Sequence, residues 1–217
     1  MKAYTVPDTI WPSSNDFGIP DLLPEMQAEK LTAPLTRWGE IGRSVEMTGT
    51  YHFYTADYKF ENVWRYPLQP VRTQAQALVE CNFSTGSGQP LAVSLWDIYR
   101  KRWLARLWQS HGVRIWVDLN VDHSLKDYAL LGVPEGWRAY CTRGLDSDFA
   151  SVFMDYELAC EHCKGEPLFL VYGGGTLVEN ICLDRGWLWR PENMRVKDGR
   201  YGRRPGLQLR IMEAYYG

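Results

Sequence analysis

From about Tyr51 onward, apolar runs of strand length alternate with longer segments whose apolar positions recur every three or four residues. The runs at 50 to 56, 77 to 83, 113 to 119, 138 to 143, 168 to 173 and 187 to 190 predict six strands. The segments near 60 to 66, 92 to 110, 123 to 131, 147 to 163 and 176 to 185 predict helices between them. Strands that alternate with helices in this way form β-α units, which build a mainly parallel sheet. The expected fold is therefore α/β with about six strands, either an incomplete (β/α) barrel or a doubly wound sheet.

Two helices carry the pattern furthest. In 92 to 110, Trp96, Tyr99, Trp103 and Leu107 share one face while Arg100, Arg102 and Arg106 lie off it, and Gly112 supplies a stop. In 147 to 163, Phe149, Val152, Phe153, Tyr156, Cys160 and Cys163 form a similar stripe behind Ser147 as N-cap. The two ends of the chain differ from this pattern. Residues 1 to 45 carry Pro7, Pro12, Pro20, Pro24 and Pro34 and read as an extended arm before a single domain over 46 to 217. Between Arg185 and Arg210 there are eight basic residues against Glu192 and Asp198, which predicts a basic loop ahead of a last strand within 207 to 216.

Composition narrows the class. The 217 residues, 45% of them hydrophobic, suffice for a full core, and the net charge of -2 marks neither a nucleic-acid coat nor an acidic tail as a whole. No stretch has the length and apolarity of a signal peptide or membrane span, so no membrane association and a cytoplasmic location are expected. Five cysteines at irregular spacing read as reduced thiols. The Cys160-x-x-Cys163 pair lacks two further ligands at zinc spacing and closes a helix, so it predicts neither a metal site nor a redox pair.

In parallel β-α folds the ligand lies beyond the carboxyl ends of the strands, where loops and helix N-termini converge. The side chains expected there are Asp57, Tyr58, Asn82, Ser84, Asp118, Asn120, Thr142, Arg143 and Tyr172, followed by the run Gly173, Gly174 and Gly175. Asp57, Asp118 and Arg143 are candidate catalytic groups. Asn82, Asn120, Tyr172 and the three glycines are candidate ligand contacts. Bare amides at a helix start can cradle a phosphate, although Thr176 and Glu179 form a Thr-x-x-Glu capping box that puts negative charge at the same place. The run also lacks the ending of a P-loop and the spacing of a dinucleotide fingerprint.

Basic surfaces offer the other reading. Arg100, Arg102 and Arg106 beside tryptophans, and Arg195, Arg200, Arg203 and Arg204 beside Tyr201, are the material of DNA or RNA binding by phosphate contacts and stacking.

The stretches HFYTADYKFENVWRYP, SLWDIYRKRWLARLWQSHGVRIWVDLNV, LLGVPEGW and LFLVYGGG resemble a family found in bacteria and their phages that is catalogued as domain of unknown function 4417, over roughly residues 51 to 189. Its most specific parts fall here on Tyr99 to Arg102, Gln109 to Gly112, Gly132 to Pro134 and Val171 to Gly173. Asn82 stands where the family pattern has Asp, and Asp97 where it has Asn. The resemblance implies a phage or mobile-element context and no particular activity. Two functions are expected on these grounds: a phage-associated protein that binds nucleic acid through basic surfaces, or a small-molecule or nucleotide enzyme with its pocket at the strand ends.

Overall fold

The computed structural model of the chain describes residues 5–39, 48–86 and 88–192. Seven strands run along it: β1 (Leu35–Arg37), β2 (Thr48–His52), β3 (Gln74–Val79), β4 (Arg114–Asp118), β5 (Ala139–Gly144), β6 (Leu168–Gly173) and β7 (Leu188–Arg190). Between them lie α1 (Glu61–Arg65), α2 (Leu91–Ser110), α3 (Lys126–Ala129), α4 (Phe149–Cys163) and α5 (Thr176–Arg185). Each expected strand overlaps its apolar run. The additional one, β1, comes from the proline-rich arm. Arg195, Arg200, Arg203, Arg204 and the strand expected within 207 to 216 lie outside the described residues.

The strands pair in chain order, β1 to β7, and every pair is parallel. A doubly wound sheet would reverse its order at a switch point. This one does not, so the incomplete barrel is the architecture formed. The sheet is also strongly curled. The rings of His52 on β2 and Tyr172 on β6 have their centroids 3.9 Å apart, although in a flat sheet four strand spacings would separate them by about 19 Å.

Curling divides the apolar residues into two cores, because alternate residues of each strand face opposite ways. Outward positions such as Tyr51, Leu78, Ile115, Val117, Tyr140, Phe169 and Val171 pack against the helices. Inward positions Ala77, Val79, Trp116, Ala139, Cys141, Leu170, Tyr172 and Leu188 fill the lumen. The bottom of the lumen is closed by the arm itself. Ala28 and Leu31 belong to the lumen core, Ala28 N donates to Ile115 O at 2.9 Å, and Gln27 bridges in parallel to Ile115. Gln109 then clamps the arm to α2, accepting from Leu23 N at 2.8 Å and donating to Leu23 O at 3.0 Å. Over this stretch the arm is packed against the barrel.

Helix α2 buries a broader and more polar face than its tryptophan stripe predicts. That face carries Asp97, Lys101 and Arg102 together with Ile98, Trp103, Leu104, Ala105 and Trp108, while Trp96, Tyr99 and Leu107 of the stripe are partly buried against the same core. Arg102 is fully buried; it pairs with Glu80 and donates from Nε to Leu131 O at 3.0 Å and from Nη2 to Ala129 O at 2.9 Å. Saturated ion pairs make this polar face compatible with the interior.

Candidate functional site

The carboxyl ends of the strands open on one polar mouth above the lumen, and its centre is Asp118, the last residue of β4. Asp118 is fully buried. Its Oδ1 accepts from the Tyr54 hydroxyl at 2.9 Å and from Asn120 N at 3.1 Å. Its Oδ2 accepts from Asn82 Nδ2 at 3.2 Å and from Lys101 Nζ at 3.2 Å. Lys101 also donates to the Asp118 carbonyl at 2.8 Å. Below this group, Glu80 accepts from Asp118 N at 3.1 Å while holding Arg102. The Asp118 carboxylate is therefore fixed by four donors from β4 itself, the two preceding strand ends and α2.

The loops around Asp118 are laced together. Asn82 Nδ2 donates to Asn120 O at 2.9 Å, and Asp122 N donates to Thr85 Oγ1 at 3.0 Å. Asp57, in the turn after β2, accepts from Ser84 N at 3.1 Å and Ser84 Oγ at 2.8 Å. Asp57 thus braces the loop after β3 and does not touch Asp118 directly.

The opposite half of the mouth is basic and aromatic. Arg143 on β5 is in register with Tyr172 on β6, which is in register with Arg190 on β7. Arg37 on β1 is in register with His52 on β2. The Tyr54 ring stacks on Tyr172 at 5.7 Å and joins the two halves. Glu192 lies across the rim, where its Oε1 accepts from Arg143 Nη2 at 3.2 Å and its carbonyl from the Tyr172 hydroxyl at 3.0 Å.

Burial fixes the protonation of the inner groups. The Tyr54 phenol is pushed well above its ordinary value, first by burial and then by the adjacent Asp118 charge, so it is a permanent donor. His52 is held down at about 3 by burial, with the charges of Arg37 and Arg143 adding to it, so its ring is neutral. Its Nδ1 accepts from Tyr54 N at 3.3 Å, which leaves the ring proton on Nε2. Behind β5, Asp155 of α4 accepts from Thr142 Oγ1 at 2.5 Å, and burial raises its carboxyl to about 7.

The glycine run has its own occupant. Asp146 Oδ1 accepts from Gly175 N at 2.7 Å and from Val178 N at 3.2 Å, which places a carboxylate of the chain at the start of α5. Gly175 is the N-cap and no side chain of the helix caps it, so the Thr176–Glu179 capping box does not form. Likewise Asp148, and not Ser147, precedes α4. Gly174 has φ 76° and a Cβ there would come within 2.6 Å of Val178, while one on Gly175 would meet Asp146 at 2.5 Å. The three glycines serve a tight turn folded around Asp146.

On α2, Arg100 pairs with Asp97 and lies over the Phe83 ring at 3.8 Å, and Arg106 lies over Trp11 at 4.5 Å. With Arg102 buried, this helix does not present the free basic face that the sequence suggests. Among the described residues no three His, Cys, Asp or Glu side chains come together to hold a metal ion, and no helix is long and apolar enough to cross a membrane.

Asp118, Asn82 and Asn120 are brought together by hydrogen bonds, and Arg143 and Tyr172 lie side by side in register on the neighbouring strands β5 and β6. Tyr54, His52, Lys101, Arg37 and Arg190 are the members that the sequence did not single out for the site. A signal for two of them lay in the strand at 50 to 54, where Thr50, His52 and Tyr54 put polar groups on one alternating face.

Residues 11–173 match the sequence profile of the family described as Domain of unknown function (DUF4417). The chain belongs to this family. The span shared with DUF4417 ends at Gly173, so it contains Arg37, His52, Tyr54, Lys101, Asp118, Arg143 and Tyr172, with Arg190 and Glu192 beyond it. Two phage proteins are similar to the chain. The Gene 1 protein of Mycobacterium phage D29 is 33% identical over 137 residues, covering 58% of this chain and 48% of that protein. The Gene 1 protein of Mycobacterium phage L5 is 34% identical over 109 residues, covering 48% of this chain and 46% of that protein. The chain thus matches about half the length of these relatives. No solved structure matches it.

Proposed function

We propose that this DUF4417 protein is an enzyme acting on a small molecule or nucleotide in a polar pocket at the carboxyl ends of its parallel strands. The observation that supports this reading most is the fully buried Asp118 carboxylate, held by Tyr54, Asn82 and Lys101 at the end of a barrel strand. In (β/α) barrels that end carries the chemistry, and a carboxylate fixed by several donors is a preorganised charge. In this reading Asp118 orients the Tyr54 hydroxyl and the Lys101 ammonium, Asn82, Asn120 and Arg143 contact the ligand from the rim, and Asp57 steadies the loop after β3. Asn82 and Arg143 are only partly buried, so they are within reach of a ligand.

The test is a screen of nucleotides, metabolites and divalent cations for a ligand-induced rise in melting temperature. A rise that Tyr54→Phe and Asp118→Asn abolish is the expected result. A melting temperature that no compound moves rejects the pocket.

A second reading rests on the local charge of 185 to 210, where eight basic residues face two acidic ones. It is a phage-associated function in binding DNA or RNA through Arg195, Arg200, Arg203 and Arg204. Anisotropy titration with short oligonucleotides at two salt concentrations tests it. Affinity should fall steeply with salt, and a fourfold alanine variant should lose about four counterions from the salt slope. Equal binding by that variant rejects it.

A further inference from the structure

Hydrogen-bonding capacity on the carboxylate side of the mouth is exhausted at Asp118 and open at the two asparagines beside it. An ionised carboxylate accepts at about four positions. Asp118 has a donor on each, from Tyr54, Asn120 N, Asn82 and Lys101. Its charge is matched by Lys101, and that of Glu80 behind it by Arg102. The buried pairs on this side therefore leave no net charge, which favours a neutral polar group over an ion that would have to be desolvated. Asn82 has its amide turned one way only, because both partners of Nδ2, Asp118 Oδ2 and Asn120 O, are acceptors. Its Oδ1 then points away from both and accepts nothing among the described residues. Asn120 enters the network through its backbone N and O alone. Leu119 packs in the outer core, so Asn120, next along the chain, turns its carboxamide to the mouth. Both asparagines are partly buried. Beside them, Asp57 is tied to Ser84, and its neighbour Tyr58 stands 73% exposed at the rim.

We propose that this half of the mouth is a nucleobase subsite, in which Asn82 Oδ1 accepts from an exocyclic amino group, the Asn120 carboxamide pairs with the adjoining ring edge, and the Tyr58 ring stacks on the base. The proposal rests on the pocket reading and names the substrate class for it: a nucleoside or nucleotide with an amino-bearing base. A carboxamide offers a donor and an acceptor side by side, which is the pattern of a base edge. Unstacked bases are held in this way, by hydrogen bonds to the edge and an aromatic ring on the face. The fixed orientation of Asn82 sets the preference. A keto oxygen in place of the amino group would meet Oδ1 lone pair to lone pair and leave it unsatisfied. A base within a single strand carries the same chemistry as a free nucleoside, and the probes below separate the two sources.

Calorimetric titration of the full chain tests the subsite. The probes are adenosine against inosine, cytidine against uridine, ribose, and a single-stranded oligonucleotide of adenosines. In at least one pair the amino nucleoside should bind about tenfold more tightly than its keto counterpart. Affinity for it should fall about tenfold in Asn120→Ala and in Tyr58→Ala, while Tyr58→Phe, which keeps the ring, should retain it. Neither side chain takes part in a hydrogen bond of the fold among the described residues, so these variants should melt with the parent chain. Keto nucleosides that bind as tightly as the amino ones, or ribose that binds as tightly as adenosine, would overturn the subsite. Nucleoside binding that both alanine variants retain would overturn it too. An oligonucleotide that binds where adenosine does not, and is lost in both alanine variants, would keep the base contacts and overturn the free nucleoside as their source. If no probe binds, the subsite fails; the pocket stands apart from it if the ligand screen yields another compound whose effect Tyr54→Phe and Asp118→Asn abolish.

Discussion

Two buried titratable side chains on either side of the barrel wall give the stability of this protein opposite dependences on pH. Asp155 has a folded pKa raised to about 7 by burial, against about 3.9 for an unfolded aspartate. Between those values the folded chain keeps a proton that the unfolded chain has released, so Asp155 removes stability as pH rises, by up to about 1.4 kcal/mol per pH unit. Asp118 and Asp148 push the same way, and Lys101 and the Thr142 hydrogen bond push back. His52 acts in reverse. Its folded value is about 3, against about 6.5 unfolded, so its contribution is lost as pH falls from about 6.5 to about 3. The two slopes oppose each other across the mildly acidic range. In urea denaturation Asp155→Asn should gain on the parent chain at pH 8 and gain little at pH 4; a difference that stays constant with pH would show that the carboxyl does not titrate in this window. These residue-level properties were the least legible in the sequence. Nothing local distinguishes Asp155 or Lys101 from a solvated helix residue, because their partners lie 13 and 17 positions away.

Elements were far more legible than faces. Apolar runs and three- to four-residue periods located the later strands and the long helices because both signals are local. The face of α2 was not, since the tryptophan stripe outweighed a run of charges that the fold buries by pairing. β1 escaped notice for a different reason: three residues in a proline-rich arm become a strand only because β2 lies alongside. The start of α5 shows the same limit. Its cap is Asp146, 29 residues before Gly175, where the sequence offered Thr176 and Glu179 close by. Asp146→Ala leaves the amides of Gly175 and Val178 without this partner and should cost about 1 kcal/mol, as the loss of a helix cap does. In a chain of this size that is a fall of about 2–4 °C in Tm. Glu179→Ala should cost less, and the reverse order would restore the capping box.

At the scale of the whole molecule, the choice between barrel and doubly wound sheet could not be read, because strand order depends on contacts between distant segments. The arm decides much of the outcome. By placing Ala28 and Leu31 in the lumen and bridging Gln27 to Ile115, it seals the amino ends of the strands. Deleting residues 1 to 34 should uncover that apolar lumen, with a broadened, non-cooperative thermal transition and binding of a hydrophobic dye as the signs of lost packing. A sharp transition in the shortened chain would show that the seal is dispensable. The order of the strands matters in time as well as in space. Each strand pairs only with its neighbours in the chain, so units can be added one by one as synthesis proceeds. The donors around Asp118 are all present once β4 and the residues just after it have been made, whereas the arginine side waits for β7, some seventy residues later in the chain. The two halves of the mouth are therefore born separately, and a product whose translation stops between them would carry the carboxylate half of the mouth with its basic, aromatic half unfinished.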